Sequence, residues 1–319
     1  MVGKMIEVRQ VTKSFGRKVA VDDLNFTVEP GNVTGFLGPN GAGKSTTMRM
    51  ILGLTAPSAG EVLIQGRSLH DFDRPLQVIG GLIDASWLHP NRSARSHLRW
   101  MAAYSGIPDS RVTTALELTG LTAVANVRGG KFSLGMRQRL GLAGVLLGDP
   151  SVLVLDEPLN GLDPEGIAWM KEVLRRLADE GKTVFLSSHL LSEISGTCDR
   201  LVVIGRGRIV ADSTVQEFVA RSRSNRVRVR ASDLSRLSIV LRERNIDVKD
   251  ITDSQKRPAL EIADAGTDQI GLIAADSGIA ILELANEAAS LEDAFMQLTQ
   301  DEVEFSAPGR AGLPLEASR

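Results

Sequence analysis

The chain has a single cysteine, Cys198, in 319 residues. No disulfide can form within it, which fits a reducing cytosol. In its apolar helical context that cysteine reads as a buried, inert thiol. Aromatic residues make up only 4% of the chain, so stacking surfaces are scarce and each one outside the apolar segments needs a reason. Long hydrophobic runs are missing too. The longest candidate, residues 140–147, is less than half of the roughly 18 needed to span a bilayer. Residues 1–13 carry charges throughout and have no signal-peptide core. Nor is there a strong charge of one sign: the formal net charge is -2. That argues against a general nucleic-acid binder while leaving room for a local basic patch. The remainder, 43% hydrophobic and 24% charged, is ordinary for a soluble chain of one large or two ordinary domains.

Glycine, by contrast, is plentiful at 31 residues, and its placement organises the chain. Gly38-x-x-x-x-Gly43-Lys44-Ser45 is the P-loop pattern that holds the β- and γ-phosphates of a nucleotide. Glycines at 38, 41 and 43 let the backbone curl and aim successive N–H groups at phosphate oxygens. The apolar residues 33–37 supply the strand that must come first. Residues 44–54 read as a helix whose N-terminus faces the anion. Lys44 brings a mobile positive charge to the β/γ bridge, and Ser45 offers a hydroxyl to Mg²⁺.

Residues 6–11 and 24–28 read as strands of an antiparallel start, with 12–16 as a loop carrying Phe15. Taken alone, Phe15 reads as a core residue; ahead of a P-loop it also offers a flat apolar surface for adenine. Short strands follow at 61–65 and 78–83, then a mostly helical stretch from 86 to 148, broken at 106–108 and 127–131. Residues 152–155 are an apolar run ending in Asp156-Glu157, the Walker B pattern. Such a buried strand delivers Asp156 to the metal, directly or through its water, and places Glu157 to polarise an attacking water. A helix over 174–180 leads to a strand at 183–188, followed directly by His189. A lone histidine there is usually structural or merely exposed. A strand beside Walker B would bring it near the γ-phosphate.

Taken together, these residues resemble the nucleotide-binding subunits of ABC transporters. The resemblance covers residues 6–216, with the motifs in the family's order. Phe15 stands at the place of the adenine-stacking aromatic, and Gly38, Pro39, Asn40, Gly41, Ala42, Gly43, Lys44, Ser45 and Thr46 form Walker A. Phe132-Ser133-Leu134-Gly135-Met136 occupies the signature place, Asn160-Gly161-Leu162-Asp163 the D-loop, and Ser187-Ser188-His189 the switch region. Two departures stand out. Leu134 and Met136 replace the signature's middle glycine and final glutamine, while Ser133 and Gly135 remain. Asp84 stands where the family has its Q-loop glutamine; it could approach Mg²⁺ as an oxygen ligand or add repulsion near the phosphates. Both departures resemble the bacitracin- and daunorubicin-export branch.

The resemblance implies an α/β fold: a P-loop NTPase core of ABC ATPase type with antiparallel β and helical subdomains. It implies that ATP and Mg²⁺ are bound, with Glu157, His189 and Lys44 catalytic and Ser45, Asp156 and Asp84 toward the metal. Two cassettes would close head to tail, Ser133, Gly135 and Met136 of each reaching the other's nucleotide, with Asp163 in the D-loop. The partner would be the chain itself or a paralogous ATPase, and the pair would drive an integral membrane permease from the cytoplasmic, inner face of the membrane. No nucleic acid is expected. Trp87, Leu88, Pro90, Trp100 and Tyr104 follow Asp84 and would form the docking surface, the last two being equally readable as core of the helical insertion.

Past residue 212 the composition shifts. Residues 226–230 alternate arginine and valine and read as an edge strand, valines inward and arginines in water. Helices at 234–245 and 267–275 and strands at 248–252, 259–262 and 280–285 complete a β-α-β-β-α-β rhythm, a small α+β, ferredoxin-like domain. Residues 290–295 open a closing helix, and 302–319 read as a mobile tail. The expected domains are thus 1–218 (helical subdomain about 86–148), 222–301 and 302–319. A soluble ABC ATPase acting on ribosome or DNA is the alternative. Such proteins usually carry two cassettes or a long coiled-coil insertion, and this sequence has neither. A scaffold that holds ATP without turning it over conflicts with Glu157 and His189.

Overall fold

The computed structural model describes residues 5–84, 89–194, 196–221, 226–252, 256–263 and 265–287. The chain opens with a hairpin of β1 (Ile6–Phe15) and β2 (Lys18–Val28), joined through Gly16 and Arg17. Residues 12–15, expected as loop, are therefore strand. The ladder shifts register three times between Val8 and Ser14. Each slip flips the side-chain alternation, which hides the strand from a pattern reading.

After β3 (Val33–Leu37) and the P-loop comes α1 (Lys44–Ile51), ending three residues before the expected 54. Next are β4 (Ala59–Ile64), α2 (Pro75–Val78) and β5 (Ile79–Leu82). The helical stretch then holds α3 (Ala94–Tyr104), α4 (Ser110–Leu118) and α5 (Leu134–Leu146). Ser93 caps α3 by accepting from the Ser96 N–H at 3.2 Å. Gly106, at φ 64°, turns the chain just past its end. The three helices share their own core around Leu98, Leu116, Leu121 and Leu140. The chain then returns to the sheet with β6 (Val152–Leu155), α6 (Pro164–Asp179), β7 (Thr183–Ser188), α7 (Leu191–Ile194), β8 (Arg200–Gly205) and β9 (Arg208–Thr214).

Two sheets result. The first is antiparallel in the order β2-β1-β4. The second has six strands in the order β5-β6-β7-β3-β8-β9, parallel except for β9. Every residue of β3, β6 and β7 is buried, as parallel strands covered on both faces require. Phe26, Phe36 and Phe185 join the sheets with ring centroids 5.3–5.7 Å apart, each burial being worth about 1.5–3 kcal/mol. Because β3, β6 and β7 are neighbours, their C-terminal ends open on one crevice, the ordinary site of ligands in such sheets.

The chain divides after Val215 into two compact units. α8 (Val215–Arg221) leads into β10 (Arg226–Ala231), α9 (Leu234–Glu243), β11 (Val248–Thr252), β12 (Pro258–Ile262), α10 (Thr267–Asp276) and β13 (Ile281–Glu287). The four-stranded sheet has the order β11-β12-β10-β13 and is antiparallel throughout, which is the ferredoxin-like arrangement. β10 is thus an interior strand, not the edge expected. Its valines 227 and 229 are fully buried as anticipated. Arg228 and Arg230 are not in open water: they pair with Glu283 on β13 at 2.8 and 3.4 Å. The expected closing helix at 290–295 and tail at 302–319 lie outside the described residues.

Candidate functional site

The P-loop leaves β3 at Gly38, where a Cβ would collide with the Ile204 carbonyl oxygen. Gly41 and Gly43 have φ of 84° and 107°, values that L side chains rarely adopt. Gly43 caps α1 in the left-handed region, and a Cβ there would meet the Ala20 carbonyl at 2.8 Å. The loop's curl therefore follows from close packing on β2 and β8 as well as from glycine's freedom.

Lys44 is 5% exposed. Its ammonium donates to the Gly38 carbonyl at 2.6 Å and the Pro39 carbonyl at 3.3 Å, and lies 3.5 Å from Glu157 Oε1. Burial lowers its pKa, partly countered by Glu157 and Asp156. At the end of β6, which β7 separates from β3, Asp156 accepts from the Ser187 hydroxyl at 2.5 Å, and Ser187 Oγ in turn accepts from the Glu157 N–H at 2.9 Å. Ser187, placed by β7, thus ties both Walker B acids together. Glu157 has a left-handed φ of 48°, which turns its side chain away from that of Asp156. Its Oε2 lies 2.9 Å from His189 Nδ1.

Nine of the sequence-predicted residues line one cavity of about 550 Å³. They are Phe15, Pro39, Asn40, Gly41, Gly43, Lys44, Ser45, Thr46 and Glu157. Phe15 is 55% exposed, so it is no core residue, and the Lys13 ammonium lies 5.2 Å from its ring centroid. Gly38 and Ala42 are buried beneath the loop. Sequence reasoning missed Lys18, Val19, Ala20 and Arg206, which complete the lining. Only the Gly205-Arg206-Gly207 turn signal pointed at the last of them.

The remaining site residues lie elsewhere. Asp84 and Asp156 line a second cavity of about 270 Å³ with Glu157, Asn160 and Leu134. Among the described residues no three His, Cys, Asp or Glu side chains cluster to hold a metal. Ser133 caps α5, accepting from the Met136 N–H at 3.2 Å, and Asp163 caps α6, accepting from the Gly166 N–H at 2.9 Å. Ser133, Gly135 and Met136 line neither cavity. Trp100 and Tyr104 are 53% and 87% exposed and stack on each other at 6.3 Å, which settles the choice left by the sequence against core. Trp87 and Leu88 lie outside the described residues. Burial pushes the Cys198 thiol up to about 12, as expected of an inert cysteine.

A P-loop between β3 and α1, an acid pair after β6 one strand away in the same sheet, and a helical insertion define a class, the ATP-binding cassette ATPases. Comparison with known proteins agrees. The family described as ABC transporter matches residues 21–160, and one described as a domain of unknown function matches 225–292. The bacitracin transport ATP-binding protein BcrA of Bacillus licheniformis is 36% identical over 298 residues, 92% of this chain and 97% of that protein. The uncharacterized ABC transporter ATP-binding protein YhcH of Bacillus subtilis is 42% identical over 216 residues, 67% of this chain and 71% of that one. The structure of cbiO1 from Clostridium perfringens, part of the ABC transporter complex cbiONQ, superposes with TM-score 0.61 at 27% identity, covering 68% and 91% of the two chains. The chain belongs to the ABC transporter ATP-binding family, on the branch of export ATPases, and is an ATPase. Among the described residues no helix is long and apolar enough to cross a membrane.

Proposed function

We propose that this chain is the ATP-hydrolysing subunit of an ABC exporter, and that two such subunits pair head to tail around two Mg-ATP to drive a separate transmembrane subunit. The observation that carries this is the line of contacts from Lys44 through Glu157 to His189, at 3.5 and 2.9 Å. It joins a phosphate-binding cation, a carboxylate base and a group that fixes the base. Glu157 takes the proton of the attacking water, and His189 holds its carboxylate in place. Lys44 exchanges the Gly38 carbonyl for β- and γ-phosphate oxygens, and Phe15 offers its exposed face to the base.

The donor set suits Mg²⁺. Ser45 would supply a hydroxyl and Asp156 a carboxylate, hard oxygen donors of the kind Mg²⁺ takes beside phosphates and waters. When bound, the ion neutralises charge on the β- and γ-oxygens. Asp84 lines the second cavity together with Asp156 and Glu157, which supports a place for it toward the metal.

Pairing is supported by where the signature lies. Ser133, Gly135 and Met136 stand outside the cavity lined by their own Lys44, so they serve the nucleotide of a second subunit, this chain or a paralogue, through the N-terminus of α5. The D-loop that ends in Asp163 adjoins the signature, a Cβ at residue 135 standing 3.5 Å from Leu162 Cδ2. The exposed Trp100 and Tyr104 belong to the surface that meets the permease at the inner face of the membrane. BcrA, whose name describes bacitracin transport, supports export.

Glu157→Gln tests both halves. Its ATP turnover should fall about 10²–10⁴-fold while Mg-ATP remains bound and light scattering reports a doubled mass. Undiminished turnover would remove Glu157 from the base role, and a monomer at saturating Mg-ATP, with or without a co-expressed permease, would refute the pairing.

A further inference from the structure

The turn between β8 and β9 consists of Arg206 and Gly207, with φ of 43° and 80°. Gly205 pairs with Arg208 across it, so it is a two-residue hairpin turn with both central residues left-handed. Asn or Asp followed by Gly suits such a turn, because short side chains tolerate the conformation. Arginine at the first position is strained and contributes nothing to the turn itself. Strain of this kind persists where the surroundings over-determine it, and it points to function.

The surroundings do over-determine it. The Gly207 N–H donates to the Ala42 carbonyl of the P-loop at 3.0 Å, and its carbonyl accepts from the Asp22 N–H of β2 at 2.8 Å. A Cβ at residue 207 would stand 2.9 Å from the Ala20 carbonyl oxygen, so only glycine allows this approach. Arg208, next along, is tied to Asp22 at 2.6 Å. Arg206 is exposed, and it lines the nucleotide cavity. The turn is thus fastened at the seam where the P-loop wall meets the β2 wall. Phe15, Ala20, Lys44 and Arg206 line the same cavity; with Phe15 read as the base contact and Lys44 as the β/γ contact, a turn fastened to the P-loop and β2 serves the stretch of nucleotide that joins them.

We infer that Arg206 is a nucleotide-binding residue that holds the α-phosphate and ribose stretch. The inference rests on the reading of this cavity as the ATP site. A guanidinium offers a planar pair of donors to non-bridging phosphate oxygens, and its charge survives at any working pH. On that reading Lys44 and Glu157 serve the γ-phosphate and Arg206 the part that ATP and ADP share, so both nucleotides should depend on Arg206 alike.

Calorimetric titration of the full chain with Mg-ATP and Mg-ADP tests this in the parent, Arg206→Asn and Arg206→Lys. Asparagine suits the left-handed position, so the thermal midpoint without nucleotide should hold or rise. Both dissociation constants should increase about tenfold in Arg206→Asn, with their ratio unchanged, and lysine should restore part of the loss. Parent-like binding of both nucleotides by Arg206→Asn overturns the inference, and a loss confined to ATP overturns the placement. A lower midpoint without nucleotide alongside weaker binding would assign Arg206 to the fold instead. A parent that binds neither nucleotide refutes the ATP reading itself and this inference with it.

Discussion

Glu157 is held by groups from two different elements, Lys44 at the start of α1 and His189 after β7, while Ser187 on β7 takes its backbone N–H. Each of these residues was legible alone, because each sits in a local motif whose spacing follows from backbone geometry. Their contact was legible only through the expectation that the strand before His189 lies beside Walker B, which the β6–β7 ladder bears out. Lys18 and Arg206 were illegible for the opposite reason: each sits beside a hairpin turn, and a turn signal says nothing of which cavity the residue lines. His97 in α3 was also passed over. It is 2% exposed, and its pKa is lowered to about 4, first by burial and then by Arg92 and His89. An unfolded imidazole titrates near about 6.5. Between that value and about 4 the unfolded chain therefore holds a proton that the native chain lacks. Stability should fall as pH drops through this window, with a slope approaching about 1.4 kcal/mol per pH unit. Urea midpoints at about pH 7 and about pH 5 check it: the parent should lose more than His97→Phe, and equal losses would remove His97 as the cause.

Helix starts carry a second layer of meaning in this fold. Asp163 was assigned from resemblance to the D-loop, yet it also caps α6 through the Gly166 N–H, with Pro164 at the first helical position. A Cβ at residue 166 would stand 2.7 Å from Asp163 Oδ1, so the cap needs a glycine opposite it. Asp163→Ala should cost about 1 kcal/mol and lower the thermal midpoint by about 2–4 °C. Asp163→Asn keeps an oxygen acceptor and should lose less. An alanine variant as stable as the parent would deny the cap any contribution. Elements with one unbroken period, such as β3 and β7, were readable to the residue. β1 was cut short because its register slips erase the alternation that a pattern reading depends on. β10 was misplaced at an edge because Arg-Val alternation settles which side chains face the core, and says nothing of how many strands lie alongside. Its ion-pair partner Glu283 is more than 50 residues away, beyond any local signal.

The two units each close a core of their own: Phe36, Met48 and Phe185 in the ATPase unit, Val229, Leu237, Leu260 and Ile270 in the accessory unit. Separate cores predict separate unfolding transitions, and each unit offers an independent handle. The proposed function puts Mg-ATP on the ATPase unit, so by mass action it should raise that transition alone, by about 2.7 kcal/mol of stability at a hundredfold excess over its dissociation constant. In the accessory unit Glu283 accepts from Arg228, Arg230 and Arg257 at 2.8, 3.4 and 3.3 Å. Glu283→Gln leaves three guanidinium charges around a neutral amide. With the carboxylate side chain 30% exposed, solvent screens part of that repulsion, and a cost of about 1–2 kcal/mol follows. For a unit of this size that is a shift of about 4–8 °C per kcal/mol. Scanning calorimetry of the full chain should then show one transition moved by Mg-ATP and the other by Glu283→Gln. A single transition that answers to both would mean that the units unfold as one, and that the accessory core has no stability of its own.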